Sequence, residues 1–152
     1  MLVREAMSKE IFYCTPSDTA QAAAKTMKIS GVGALPVVTD SVNRILEGIV
    51  TDRDLCCAVV ADAKLAETTK IADVMTHNPI TCAPENTLDD CEELMQRHQI
   101  RRLPVVDKQG RCIGMIAQAD IALHASAAEV AKTLAEISRA GRARPEIRVA
   151  SA

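Results

Sequence analysis

The sequence has almost no aromatic residues: its 152 residues include Phe12 and Tyr13 but no tryptophan. Proteins that bind single strands without sequence preference stack the bases on aromatic side chains, so this composition argues against RNA or single-stranded DNA as the main ligand. The formal net charge is -2 at pH 7. Such a chain has no long-range positive field that would attract DNA or an anionic membrane. We therefore expect neither nucleic acid nor a membrane as a partner.

Long apolar runs are also missing. No segment approaches the roughly 18 consecutive apolar residues of a membrane-spanning helix. The N-terminus, MLVREAMSKEIF, lacks the apolar stretch of a secretory signal peptide. These absences predict a cytoplasmic protein. Its cysteines are then expected to be reduced and mostly buried, because they lie within apolar segments of a chain long enough to form a core. They are Cys14, Cys56, Cys57, Cys82, Cys91 and Cys112.

Motifs typical of enzymes are absent as well. The chain has no glycine-rich phosphate loop of the Walker type and no nucleophile elbow. His77, His98 and His124 lie far apart, and the adjacent Cys56 and Cys57 are too close together for an ordinary pair of zinc ligands. We predict a protein that is not an enzyme and holds no metal. Cys56 and Cys57 are predicted to be buried structural thiols, with a thiol sensor as the alternative.

What the chain does contain is an internal repeat. At an offset of 68 positions nine residues between 7 and 38 are identical to their counterparts, including the LPVV blocks at 35–38 and 103–106. The offset becomes 66 for a second shared motif, GIVTDRD at 48–54 and GMIAQAD at 114–120. The change of length falls in a polar stretch between two apolar runs, where a hairpin loop tolerates it.

Both copies show the same order of predicted elements: short strand, helix, strand, strand, helix. Asp18 and Asn86 are suited to cap the first helix, and each is followed three positions later by Gln21 or Asp89, the spacing of a capping box. Helical periodicity supports the first helix of the second copy. Its apolar stripe comprises Leu88, Cys91, Leu94 and Met95.

A copy of about sixty residues would bury too little apolar surface on its own. We therefore predict an α/β (α+β) fold in which two β-α-β-β-α repeats pack sheet to sheet about a pseudo-two-fold axis. A C-terminal helix follows, supported by Val130, Leu134 and Ile137 at positions i, i+4 and i+7. The predicted segments are repeat 1 at 1–60, repeat 2 at 69–125, the helix at 126–140 and a basic flexible tail at 141–152.

Four pairs of motifs recur in order. VREAM and IADVM open the copies, and CTPSDT and CAPENT precede the first helix. GALPVV and RRLPVV follow, then GIVTDRD and GMIAQAD. Together they resemble tandem cystathionine-β-synthase (CBS) domains, the pair called a Bateman module, over roughly residues 1 to 125. The resemblance is closest to small stand-alone bacterial CBS-pair proteins. It implies a regulatory module that binds AMP, ADP, ATP, NAD or S-adenosylmethionine in clefts between the repeats.

In that family the pattern Gly-h-h-Thr/Ser-x-x-Asp, where h is apolar, contacts the ribose. Gly48, Thr51 and Asp54 match it in full. The resemblance implies that Asp54 accepts hydrogen bonds from the ribose hydroxyls and that Thr51 bonds ribose or phosphate. In the second copy Asp120 matches, but Ala117 stands where the hydroxyl belongs. As an alternative role, Asp54 only complements the helix dipole.

In resembling modules, basic residues before the LPVV strand reach the phosphate of the nucleotide whose ribose the other repeat holds. The second copy has Arg101 and Arg102 there, and the first has Gly33 and Ala34. One cleft therefore receives both arginines together with the Thr-Asp pair. Strand neighbours point to opposite faces, so only one of the two arginines is expected to face the cleft, with Arg53 adding a contact. Solvated strand-edge charges are the alternative.

For the adenine, the resemblance implies backbone near the first strand, at Tyr13 or Cys14, and the apolar side chain of Ile49. The second, weaker site is assigned Asp120 and Cys82. The predicted ligand is an adenine nucleotide, AMP or ATP, that is bound and not used as a catalytic cofactor.

The predicted assembly is a homodimer, with the helices that carry Met27 and Met95 at its interface. An unidentified protein partner receives the signal, and the arginine-bearing tail is a possible handle for it. The competing hypothesis is a dimerisation and interaction module that binds no ligand and in which both clefts are vestigial.

Overall fold

The computed structural model describes residues 1–124 and 127–139. The helices and strands, in chain order, are α1 Val3–Ala6, α2 Ala20–Ser30, β1 Ala34–Val38, β2 Leu46–Thr51, α3 Asp52–Leu55, β3 Thr76–His77, α4 Leu88–His98, β4 Arg102–Val106, β5 Cys112–Ala117, α5 Gln118–Ala122 and α6 Ala127–Arg139. A π-helical turn, Cys56–Val60, continues α3, and a 3-10 turn, Ile71–Asp73, precedes β3. No helix within the described ranges is long and apolar enough to cross a bilayer. The predicted tail at 141–152 lies outside them.

Two small antiparallel sheets form the centre of the fold. One has the order β1-β2-β3 and the other pairs β4 with β5. The registers are equivalent, since Ala34 lies opposite Thr51 and Arg102 opposite Ala117. The predicted first strand of each copy is reduced to a single parallel bridge. The repeat in the sequence is thus a repeat in strand pairing.

The pseudo-two-fold axis passes between Ile45 and Arg111. These residues are equivalent at the offset of 66, and they pair with each other across the two sheets. Backbone hydrogen bonds of 3.0 and 2.9 Å flank the pair symmetrically. The predicted α/β fold, with two repeats about an approximate two-fold axis, is confirmed.

Helices α2 and α4 are each capped one residue later than predicted. Thr19 caps α2 and Thr87 caps α4, where Asp90 completes a capping box. Asp18 and Asn86 accept hydrogen bonds in the turn that precedes the helix, each from the backbone N–H three positions earlier. The predicted caps are wrong because these side chains close the turn instead.

The opening segment of each sequence repeat crosses to the other half of the molecule. Val3 is fully buried in the core that contains Leu103 and Met95 of the second repeat. Ile71 is fully buried in the core of the first repeat, and β3 pairs with β2. Each core is therefore built from both sequence repeats, and the segment boundaries assigned from the sequence do not mark independent structural units.

The C-terminal helix forms as predicted, but its buried face is different. Thr133 and Ile137 are 2% and 6% exposed, whereas Leu134 is 49% exposed. Thr133 is turned inward because its hydroxyl accepts a 3.0 Å hydrogen bond from Gln96 Nε2 on α4. The expected stripe through Leu134 is therefore wrong.

The cysteines divide into a buried and an exposed group. Cys14, Cys82, Cys91 and Cys112 are buried, and all six thiols are free. Cys56 and Cys57 are exposed, so the prediction that this pair is buried is wrong. Leu55 and Val59 occupy the inner side of the same helical segment, at 8% and 3% exposure. The two thiols are left on its outer side.

Candidate functional site

The turn from β2 into α3 holds Thr51 and Asp54 in a fixed geometry. Thr51 Oγ1 donates a 2.8 Å hydrogen bond to Asp54 Oδ2 and accepts one of 3.1 Å from the Asp54 N–H. Asp54 Oδ2 also accepts from the Thr51 N–H at 2.8 Å. Asp54 Oδ1 has no hydrogen-bond partner in the described part of the chain. The pair is a capping box that leaves one carboxylate oxygen available to a ligand.

The start of α3 is tied to the residue before β1. The Asp52 N–H donates a 3.1 Å hydrogen bond to the Gly33 carbonyl, and in the second repeat the Gln118 N–H donates one of 2.9 Å to the Arg101 carbonyl. A β-carbon at Gly33 would lie 2.9 Å from Asp52 Oδ2 and 3.3 Å from Arg102 Nη2. The side chain of Arg102 therefore reaches across to the first repeat.

A cleft of about 750 Å³ separates the two repeats at this turn. It brings together six of the residues singled out in the sequence. These are Ile49, Thr51, Arg53, Asp54, Arg101 and Arg102. Both Arg101 and Arg102 line it, so the expectation that only one would face the cleft is wrong. Arg101 lies one position before β4, where strand alternation does not constrain its direction.

Tyr13 and Cys14 are not among the residues that line this cleft. Cys14 is 4% exposed in the first core and pairs with Val37. Burial, aided by the nearby Asp18 carboxylate, raises the pKa of its thiol to about 12. The side of the cleft expected for Tyr13 and Cys14 is lined instead by the segment after the second crossover. It contributes Thr76, Asn78, Pro79 and Ile80.

The sequence carries no direct signal for this segment, because the apolar pattern of the opening segments does not show in which core they are buried. Two further groups, His98 and Ile137, also line the cleft. No motif of the repeats pointed to Ile137, because it lies on α6, beyond the second copy.

The cleft is rich in unpaired positive charge. Arg53, Arg101 and Arg102 line it together with Asp52 and Asp54. The ion pairs within 4.0 Å among the described residues involve none of these five side chains. Guanidinium groups that form no direct ion pair with a described carboxylate are suited to phosphate, which they bind with charge-assisted hydrogen bonds. The cleft therefore offers both an available carboxylate oxygen, on Asp54, and the guanidinium groups of three arginines.

The equivalent turn of the second repeat is poorer in polar groups. Asp120 Oδ2 accepts a 2.7 Å hydrogen bond from the Ala117 N–H, but there is no hydroxyl to repeat the Thr51 contacts. Cys82 is 4% exposed. It borders a separate groove of about 450 Å³ that Asp120 does not line. The two residues assigned to the weaker site are therefore not brought together in that groove.

Comparison with known proteins identifies the repeats. Residues 3–61 and 71–127 both match the family model described as the CBS domain. The CBS domain-containing protein YhcV of Bacillus subtilis is 37% identical over 122 residues, which cover 80% of this chain and 84% of YhcV.

Two solved structures are also similar. The CBS domain pair of protein MJ0100, in complex with 5-methylthioadenosine and S-adenosyl-L-methionine, has a TM-score of 0.73 and 29% identity, covering 82% of this chain and 94% of that one. CBSX2 in complex with AMP has a TM-score of 0.70 and 26% identity, covering 81% and 94%. On this evidence the chain belongs to the CBS domain family and carries a tandem pair of these domains.

Proposed function

We propose that this chain is a regulatory sensor that binds one adenine nucleotide, AMP or ATP, in the cleft between its repeats. One observation carries the proposal: the Thr51–Asp54 pair of the first repeat and the unpaired Arg101 and Arg102 of the second line the same cleft. The ligands named for the similar structures, 5-methylthioadenosine, S-adenosyl-L-methionine and AMP, share an adenosyl group. That common group supports an adenosyl ligand here.

The ribose and phosphate would occupy opposite ends of the cleft. Asp54 Oδ1 accepts from a ribose hydroxyl, in a charge-assisted hydrogen bond of about 1.5–3 kcal/mol. Arg101 and Arg102 donate to the phosphate. The apolar side chains of Ile49 and Ile80 line the same cleft and suit the adenine ring. In this arrangement both repeats hold one ligand, so binding bridges the two halves of the molecule.

The stoichiometry follows from the asymmetry of the repeats. The turn at Asp120 lacks the hydroxyl, and Gly33 and Ala34 replace the two arginines. A second nucleotide would therefore lose most of its polar contacts. Both repeats match the CBS domain model, which supports nucleotide binding as the activity of this pair.

We further propose a cytoplasmic homodimer that passes its signal to a protein partner. The predicted interface residues must be revised, because Met27 and Met95 are 6% and 0% exposed inside their own repeats. Larger apolar surface remains elsewhere, at Ile29, Val60 and Leu123, which are 86%, 74% and 82% exposed. Covering these side chains in a second copy would remove apolar surface from water.

Thermal unfolding and isothermal titration with AMP, ADP, ATP, NAD and S-adenosylmethionine test the proposed function. A ligand that binds only the folded state, present at a hundred times its dissociation constant, adds about 2.7 kcal/mol to the free energy of unfolding. We expect AMP or ATP to raise the melting temperature, with a stoichiometry near one per chain. No shift with any of the five compounds would favour the alternative, an interaction module with vestigial clefts.

A further inference from the structure

The C-terminal helix forms part of the cleft wall. Ile137, on α6, is 6% exposed, belongs to the core of the second repeat and also lines the cleft. The matched family region ends at residue 127, where α6 begins. This part of the wall is thus supplied by a helix that follows both repeats.

The contacts that hold α6 converge on the end of α4. Gln96 Nε2 donates a 3.0 Å hydrogen bond to Thr133 Oγ1, and Gln99 Nε2 donates one of 3.2 Å to the Glu136 carbonyl. Gln99 ends α4 in a left-handed conformation, with φ of 57°. It also lines the cleft. The same residue therefore contacts α6 and borders the ligand site.

The chain runs from this contact directly into the phosphate-binding end of the cleft. Gln99, Ile100 and Arg101 are consecutive and all line it. A displacement of α6 would remove the side chain of Ile137 from the wall and release Gln99, two positions before Arg101. The position of α6 and the shape of the cleft are therefore mechanically linked.

A small buried face holds α6 against the rest of the fold. The helix has 13 residues, and an isolated helix of that length is marginal in water. Two of its residues are buried, Thr133 and Ile137. A helix held by so small a face belongs to the part of a protein with low local stability.

We propose that nucleotide binding in the cleft and docking of α6 are positively coupled, so that α6 transmits the presence of the nucleotide to a partner. The inference rests on the proposed function. Because a docked α6 completes the wall, a nucleotide binds the docked state more tightly. By reciprocity, nucleotide binding then stabilises docking by the same factor. A partner that recognises either the docked or the released helix would thereby sense the ligand.

Hydrogen–deuterium exchange on the full chain, with and without saturating AMP or ATP, tests the coupling without any mutation. We expect the nucleotide to slow amide exchange across 127–139. Titration of variants provides the second arm. Thr133→Val removes the hydrogen bond to Gln96, although Thr133 does not itself line the cleft. It should weaken nucleotide binding by up to about fivefold, the factor that corresponds to the net contribution of one hydrogen bond to docking.

Leu134→Ala is the matched control, since Leu134 lies next to Thr133 but is 49% exposed. Its nucleotide affinity should equal that of the wild type. Unchanged exchange in α6 on saturation, or wild-type affinity in Thr133→Val, would overturn the coupling while leaving nucleotide binding intact. Failure of the wild-type chain to bind any of the five compounds would overturn the proposed function and the coupling together.

Discussion

Gly48 lies so close to Met75 that a β-carbon on the glycine would come within 2.7 Å of the methionine sulfur. It would also lie 2.8 Å from the Thr76 carbonyl oxygen. The equivalent glycine, Gly114, has the same relationship to Met7, whose sulfur would be 2.7 Å away. Each glycine therefore marks the place where the opening segment of one repeat packs against the second hairpin strand, β2 or β5, of the other half.

Alanine at either crossover should destabilise the protein. Gly48→Ala and Gly114→Ala should each lower the free energy of unfolding by about 1–3 kcal/mol, the usual result of overpacking. The new β-carbons would contact the backbone carbonyl groups of Thr76 and Ser8. A backbone group cannot change its rotamer to make room, as a side chain can. Chemical denaturation measures the loss. Gly33→Ala is the control, since its β-carbon would approach the side-chain ends of Asp52 and Arg102. Equal stability of all three variants would contradict the explanation.

The pairing within each repeat was predictable, whereas the exchange between repeats was not. The LPVV blocks and the strands that follow carry alternating and β-branched patterns that mark neighbouring strands. VREAM and IADVM contain apolar residues that must be buried, but their pattern does not reveal in which core. Because the two cores are alike, either opening segment could be buried in either core. The resemblance implies Tyr13 or Cys14 for the cleft wall, whereas the segment after the second crossover lines that side.

The buried face of α6 illustrates a second limit. In an alanine-rich helix the faces differ little in hydrophobicity, and Leu134 is more hydrophobic than Thr133. The structure nevertheless buries Thr133, because Gln96 on α4 satisfies its hydroxyl. A hydrogen bond between two elements that are distant in sequence leaves no periodic pattern in the sequence. Hydrophobic spacing alone therefore predicts that the face containing Leu134 is buried.

Thiol labelling should distinguish the two groups of cysteines. Ellman's reagent should react quickly with Cys56 and Cys57, which are exposed, and with the other four only after unfolding. Burial raises the pKa of Cys112 to about 11, and that of Cys14 is raised to about 12. Both therefore remain protonated and unreactive at pH 8. Rapid labelling of all six thiols in the folded protein would contradict the burial.

Sedimentation tests the proposed dimer. The wild-type chain should sediment as a dimer at tens of micromolar, and Leu123→Asp should shift it towards monomer, because a charge cannot be buried unpaired at an apolar interface. Val42→Asp is the control, because Val42 is as exposed as Leu123, at 81%, but lies in the loop between β1 and β2, outside the proposed interface. A monomeric wild type, or a Leu123→Asp variant as dimeric as the control, would refute this interface.

Comparing AMP with adenosine tests the role of the arginines. Replacing Arg101 or Arg102 by alanine should weaken AMP binding by about tenfold or more, the loss expected for a charge-assisted hydrogen bond. Adenosine has no phosphate, so its affinity should change little in the same variants. Titration of both ligands forms a thermodynamic cycle that isolates the phosphate contact. An equal loss for both ligands would show that the arginines act on the fold of the cleft.

The strongest test of the asymmetry compares Asp54 with Asp120. Both carboxylates accept from the backbone N–H three residues earlier, at 2.8 and 2.7 Å, so alanine removes a similar helix cap in each case. We expect Asp54→Ala to weaken nucleotide binding ten- to more than a hundredfold, because it also removes the proposed ribose contact of about 1.5–3 kcal/mol.

Asp120→Ala should leave nucleotide affinity nearly unchanged. Isothermal titration of both variants measures the effect on nucleotide binding. Thermal unfolding measures the stability that is lost with the helix cap, so the two effects can be separated. Equal losses of affinity, or a stoichiometry near two per chain, would mean that Asp120 also holds a ribose. Since Ala117 supplies no hydroxyl beside Asp120, such a site would have to bind the ribose through its carboxylate alone.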